Sequence, residues 1–143
     1  MSNARLRIAI DISCLAHHPM TGVGYYWQNL LQALLSKDRG LDVRLFLASA
    51  QKAPESVARL ARKCSRYTAL RVPARLKQFL WTQVGWPPIE WFSGSVDIAH
   101  GAFHLLPPTR RAKRVFTVFD LSGLRYPDTR TAANLNLHMD IIR

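Results

Sequence analysis

The chain is short of acids, of cysteine and of long apolar runs, and each shortage closes off a class of protein. Nine Asp and Glu stand against twenty Lys and Arg in 143 residues, a formal net charge of +11. No acid occurs between Glu55 and Glu90. Such an imbalance calls for an anionic partner, or for an acidic counterpart elsewhere in a larger protein. Cys14 and Cys64 are too few and too far apart for a disulfide framework or a zinc motif, and both sit among apolar neighbours, as buried reduced thiols do. No stretch reaches the roughly 18 consecutive apolar residues of a membrane span, and no signal-peptide core opens the chain. The expected setting is cytosolic. Residues Met1-Ser2-Asn3-Ala4 read as a cloning remnant and are set apart from the fold.

What is present is a hydrophobic share of 48%, enough for the core of one domain. Ile8, Ala9, Ile10 and Ile12 form a nearly continuous apolar run, the pattern of a strand buried on both faces of a parallel sheet. A loop follows, closing in Thr21-Gly22-Val23-Gly24-Tyr25-Tyr26. The spacing of Val23, Trp27, Leu30, Leu31, Leu34 and Leu35 then predicts an amphipathic helix from about Gly24 to Ser36. Strand two is expected over Leu41 to Ala48, a short helix opens at Pro54, and strand three covers Tyr67 to Val72. Arg75 to Phe92 reads as a helix broken at Pro87-Pro88, whose aromatics pack in the core or in part face lipid. Strands at Val96 to His100 and Lys113 to Phe119 come next, the second delivering Asp120 at its C-terminal end. A last helix opens at Asp128 or Thr129, with Leu135, His138, Ile141 and Ile142 inward, and reaches Arg143 without a stop signal. The reading is therefore of a chain that stops inside a longer protein.

Strands alternating with helices predict a doubly wound α/β fold with a parallel, Rossmann-like sheet. Ligands of such sheets bind beyond the carboxyl ends of the strands, which singles out residues 11–24, 100–104 and 119–124. Gly22 and Gly24 then read as a tight turn or as a phosphate or sugar contact at a helix N-terminus. Asp11 reads as a ligand contact or as the cap of its own loop. A dinucleotide site fails, because no third small residue follows at the right offset and Ser49-Ala50-Gln51 lacks the acid that would hold a ribose. There is no Walker sequence. His100 and His104 follow one strand, but irregular backbone gives them no fixed ligand geometry, so no metal is expected. His17 and His18 read as a solvated loop.

Ile10-Asp11, Thr21 to Tyr26, Asn29 to Leu34, Leu80-Trp81-Thr82-Gln83, Val96 to His100, Val115 to Leu121 and Tyr126-Pro127-Asp128 follow one another along nearly the whole chain. Together they resemble the N-terminal domain of family 4 (group 1) glycosyltransferases. The resemblance implies the acceptor-side half of a GT-B enzyme over residues 5–143, incomplete at its C-terminus and inactive alone. Its missing partner is the C-terminal donor-binding domain. The implied reaction is metal-independent, retaining transfer of a sugar from a nucleotide-diphosphate sugar to a sugar or lipid-linked acceptor in polysaccharide or cell-envelope glycan synthesis, with no cofactor. Asp11, Thr21, Gly22, Val23, Gly24, Tyr25 and His100 are then the substrate-binding candidates, and Asp120 the catalytic one. Relatives commonly read His-Asp-Leu where this chain has Phe119-Asp120-Leu121. A phenylalanine stacks on a sugar face but carries no charge and donates no hydrogen bond, so the histidine's role is not carried over.

Arg59, Arg62, Lys63 and Arg66 fall two positions after Val57, Leu60, Ala61 and Cys64, which places the two sets on nearly opposite helix faces. Arg71, Arg75 and Lys77 extend the charge. This stripe suits an anionic membrane surface, a peripheral place on the inner face of the membrane, or a solvated face balanced by an acidic second domain. A basic nucleic-acid-binding module has only the net charge in its favour, without an RNA-binding or helix-turn-helix signature. An inactive scaffold related to the enzymes is the further alternative, motivated by Phe119.

Overall fold

The computed structural model describes residues 5–36, 40–101, 105–120, 125, 126 and 128. Five parallel strands, β1 (Leu6–Asp11), β2 (Leu41–Ala48), β3 (Arg66–Leu70), β4 (Ile98–Gly101) and β5 (Lys113–Phe116), form one sheet in the order β3-β2-β1-β4-β5. The helices are α1 (Gly22–Leu35), α2 (Glu55–Ala61), α3 (Ala74–Phe79), continued by a π turn over Leu80–Val84, and α4 (Glu90–Ser93). The Rossmann-like layer expected from the sequence is the one observed.

Side chains alternate across a strand, so β1 and β2 supply two cores. Ile10, Ile12, Val43, Leu45 and Leu47 face α1 and α2, where Trp27, Leu31, Val57 and Leu60 close over them. Full burial of a side chain such as Leu31 contributes about 2 to 3 kcal/mol. Ala9, Phe46, Ala48 and Ala99 face the other way, under Trp81, Ile89 and Val96. Phe46 stacks on both Trp81 and Phe92, at centroid distances of 5.8 and 5.0 Å.

Several boundaries differ from the sequence reading, each for a local reason. Helix α1 starts at Gly22, ahead of the expected Gly24, because Thr21 caps it: its hydroxyl accepts from the Gly24 N–H at 3.4 Å. Strand β3 runs a residue earlier and stops at Leu70, ahead of Pro73, while β4 begins at Ile98 and not Val96. Pro54 precedes α2 as its N-cap. The helix after β3 breaks at Gly85, whose φ of 67° is left-handed, before Pro87-Pro88 is reached. Strand β5 ends at Phe116, short of the expected Phe119. The last predicted helix, with Leu135, His138, Ile141 and Ile142, lies outside the described residues.

The aromatic stretch from Phe79 to Phe92 divides between inside and outside. Trp81 is buried and Phe92 packs on the core, but Phe79, Trp86 and Trp91 are exposed. Beneath them Glu90 anchors the β4–β5 connection: its Oε1 accepts the N–H groups of Arg110, Arg111 and Ala112 at 2.8, 3.0 and 3.2 Å. Burial pushes this carboxyl up, and the N–H groups it accepts, Arg111 foremost, outweigh that and hold it below the usual range.

Candidate functional site

The strand order reverses at β1, which β2 flanks on one side and β4 on the other, so the crevice beyond the carboxyl ends of β1 and β4 is the switch point of the sheet. Asp11, the first residue there, faces the α3 side and is buried. Its Oδ1 accepts the Ser13 N–H at 3.0 Å and the Ser13 hydroxyl at 2.5 Å, while its Oδ2 accepts from Lys77 Nζ at 2.7 Å. Lys77 also donates to Ser13 Oγ at 2.8 Å, and the Ala48 N–H donates to the same oxygen at 2.9 Å. The ammonium lies 4.8 Å from the centre of the Trp81 ring. Of the two readings of Asp11, the geometry displays the loop cap, tied down from β2 and α3.

Lys77 is therefore not part of an exposed cationic stripe. It is 7% exposed and sits four residues before Trp81, on the inward face of α3. This is the site residue that sequence reasoning missed. The available signal was its i, i+4 spacing to a core tryptophan, set against an unpaired acid at the end of β1. The clamp holds the turn Ser13–Ala16, in which Cys14, Leu15 and Ala16 are buried. Burial and the Asp11 charge push the Cys14 thiol up to about 12, which removes it as a nucleophile.

From that turn the chain passes exposed His17 and His18 and returns at Thr21. The N–H groups of Gly22 and Val23 precede Tyr25, whose N–H is the first to donate to a carbonyl of this helix, that of Thr21, and point out of the α1 end. Neither Gly22 nor Gly24 has a positive φ, so no left-handed turn requires glycine there. A Cβ on Gly24 would meet Met20 Cγ at 2.7 Å, so close packing of the loop accounts for that glycine, whereas Gly22 faces open space. The Tyr25 ring is exposed.

The next turn of α1 reaches the other strands. Trp27 packs edge-on against His100 at 4.7 Å, and Tyr26 against Phe119 at 5.2 Å. His100 Nε2 lies 2.9 Å from Thr117 Oγ1, and desolvation lowers its pKa, leaving the ring neutral at pH 7 as a hydrogen-bonding group. Gly101 follows because a Cβ there would come within 2.8 Å of the Leu105 carbonyl oxygen. Asp120 is exposed and lies four residues past the end of β5, not at the strand end. His104 and Leu121 lie outside the described residues, and among the described residues no three His, Cys, Asp or Glu side chains are grouped to hold a metal ion.

The four basic residues expected on one face are all exposed but divide between the two sides of the sheet. Arg59, Arg62 and Lys63 accompany α2, with Arg59 at 3.7 Å from Glu55. Arg66 belongs to β3 and lies against Gly94, on the α4 side. Cys64 is half-buried, with the Ala61 and Arg66 carbonyls at 3.3 and 3.1 Å as acceptors for its single S–H. A groove of about 1040 Å³ opens at the opposite end of the sheet from the crevice, between Arg7, Leu35, Asp42, Cys64 and Asp97. Its acids are already paired, Asp97 with Arg7 and Asp42 with Arg44, each at 2.7 Å. Among the described residues no helix is long and apolar enough to cross a membrane. No protein-family model, curated protein or solved structure matches the chain.

Proposed function

We propose that the chain is the acceptor-side domain of a GT-B glycosyltransferase similar to family 4, which moves a sugar from a nucleotide-diphosphate sugar to an acceptor hydroxyl in glycan synthesis. The observation that carries this reading is the convergence, at the switch point, of the capped α1 N-terminus with His100 and Phe119, which α1 itself holds through Trp27 and Tyr26. A leaving diphosphate builds negative charge, and the outward N–H groups of Gly22 and Val23 with the positive end of α1 are suited to meet it. Neutral His100 suits a sugar hydroxyl, Phe119 and Tyr25 offer faces for a sugar ring, and Asp120 is assigned to the acceptor side. Asp11 acts through the loop that it caps. A cytoplasmic setting and a complementary donor-binding domain go with such a donor.

The test is nucleotide release by the full-length protein that carries this domain, over a panel of uridine and guanosine diphosphate sugars with sugar and lipid-linked acceptors. Release that depends on acceptor, and falls at least tenfold in Gly22→Val and Asp120→Asn, is the expected result. Hydrolysis without acceptor dependence refutes transfer to an acceptor hydroxyl, and no release with any donor refutes the reading and favours the inactive scaffold.

A further inference from the structure

The outer side of the α3–α4 layer carries several large exposed hydrophobic side chains. Leu76, Phe79, Trp86 and Trp91 are 49%, 56%, 48% and 57% exposed. The inward side of the same segment is filled by Lys77, Trp81 and Ile89, so the outward aromatics have no place left in this core. Trp86 and Trp91 pack edge-on at 5.0 Å, which presents two indoles together at the surface. A soluble surface seldom carries such a cluster without a partner.

The charge around the cluster decides which partner fits. Arg71 and Arg75 are exposed beside it, one just ahead of α3 and the other in its first turn. No acid occurs between Glu55 and Glu90, and Glu90 turns its Oε1 inward onto the N–H groups of residues 110–112. Amphipathic indoles flanked by arginines match the boundary between acyl chains and anionic headgroups, where tryptophan settles and cations are attracted. An acidic protein groove would supply the charge but not a use for several protruding aromatics.

We infer that this face docks the protein on an anionic lipid bilayer, with Phe79, Trp86 and Trp91 entering the interface and Arg71 and Arg75 meeting the headgroups. The α2 cations Arg59 and Arg62 lie on the opposite layer and are bystanders. The inference is independent of the sugar-transfer reading.

The experiment is co-sedimentation of the chain with phosphatidylcholine vesicles, with and without about one-third phosphatidylglycerol, at two salt concentrations. Binding is expected only with the anionic lipid and is expected to weaken with salt. Phe79→Ser with Trp91→Ser lowers the partition coefficient by roughly tenfold or more. Arg71→Gln and Arg75→Gln lower it about fivefold each, while Arg59→Gln with Arg62→Gln changes it little. All these positions are exposed, and unchanged thermal unfolding of each variant separates lost docking from lost fold. Equal sedimentation with neutral and anionic vesicles overturns the inference, as does full binding by the Phe79/Trp91 variant. So does a concentration-dependent dimer that this variant dissolves, which would assign the face to a second copy.

Discussion

Replacing Lys77 with methionine keeps the length of the side chain inside α3 and removes only the ammonium. Asp11, 5% exposed, then retains two donors from Ser13 on Oδ1 but has none on Oδ2. Removing one partner of a buried pair costs about 3 to 5 kcal/mol, and the surviving Ser13 donors place Lys77→Met near the lower end. Asp11→Asn alone leaves the ammonium buried with a poorer acceptor and costs about as much. In the double variant no charge is left, and the Asn oxygen still accepts the Ser13 N–H, so the loss is expected to be about 1 to 2 kcal/mol, well below the sum of the singles. Against a total of about 5 to 15 kcal/mol for an ordinary domain, each single change is plainly measurable. Urea unfolding followed by tryptophan emission suits the purpose, since Trp27 and Trp81 are buried. Singles that each cost less than about 1 kcal/mol, or a double equal to their sum, would refute the assignment of a coupled buried pair.

Acid should loosen the other end of the sheet. Hydrogen bonds from Arg7 hold Asp97 at about 2 against an ordinary 3.8, so its contribution is complete above pH 3.8 and is lost as pH falls toward 2. The urea midpoint should drop across that window, and Asp97→Asn should flatten the drop. Glu90→Ala removes the shared acceptor of three N–H groups; a loss of about 1 to 3 kcal/mol is expected, with faster amide exchange confined at first to residues 110–112. A thiol reagent should label half-buried Cys64 in the native protein and Cys14 only on unfolding, so rapid native labelling of Cys14 would contradict its burial.

The sheet was legible because its signals are local. The apolar run at Ile8 to Ile12, the stripe from Val23 to Leu35 and the strand Leu41 to Ala48 each state their own period, and α/β alternation does the rest. The α1 N-terminus was legible to within two residues through its glycine turn, but the Thr21 cap that sets its start at Gly22 was not. The Asp11–Lys77 pair was not, because 66 residues separate the partners and a lysine between Arg75 and Gln78 looks like any solvated cation. The fate of Phe79, Trp86 and Trp91 was hidden for a related reason. Helical spacing says which residues share a face, but only the packed layer says that Trp81 and Ile89 already fill the space beneath. Asp120 was misplaced at a strand end because the apolar pattern of Val115 to Phe119 continues past the last ladder hydrogen bonds.

The strand order also dictates a sequence of events in time. In synthesis β2 follows β1 closely, but β4, the partner of the other edge of β1, emerges about ninety residues after it, as the Arg7 to Asp97 contact measures. Through that interval β1 offers an unpaired parallel edge to any chain nearby. Pairing with β4, which the Arg7–Asp97 bridge spans, is what removes that open edge.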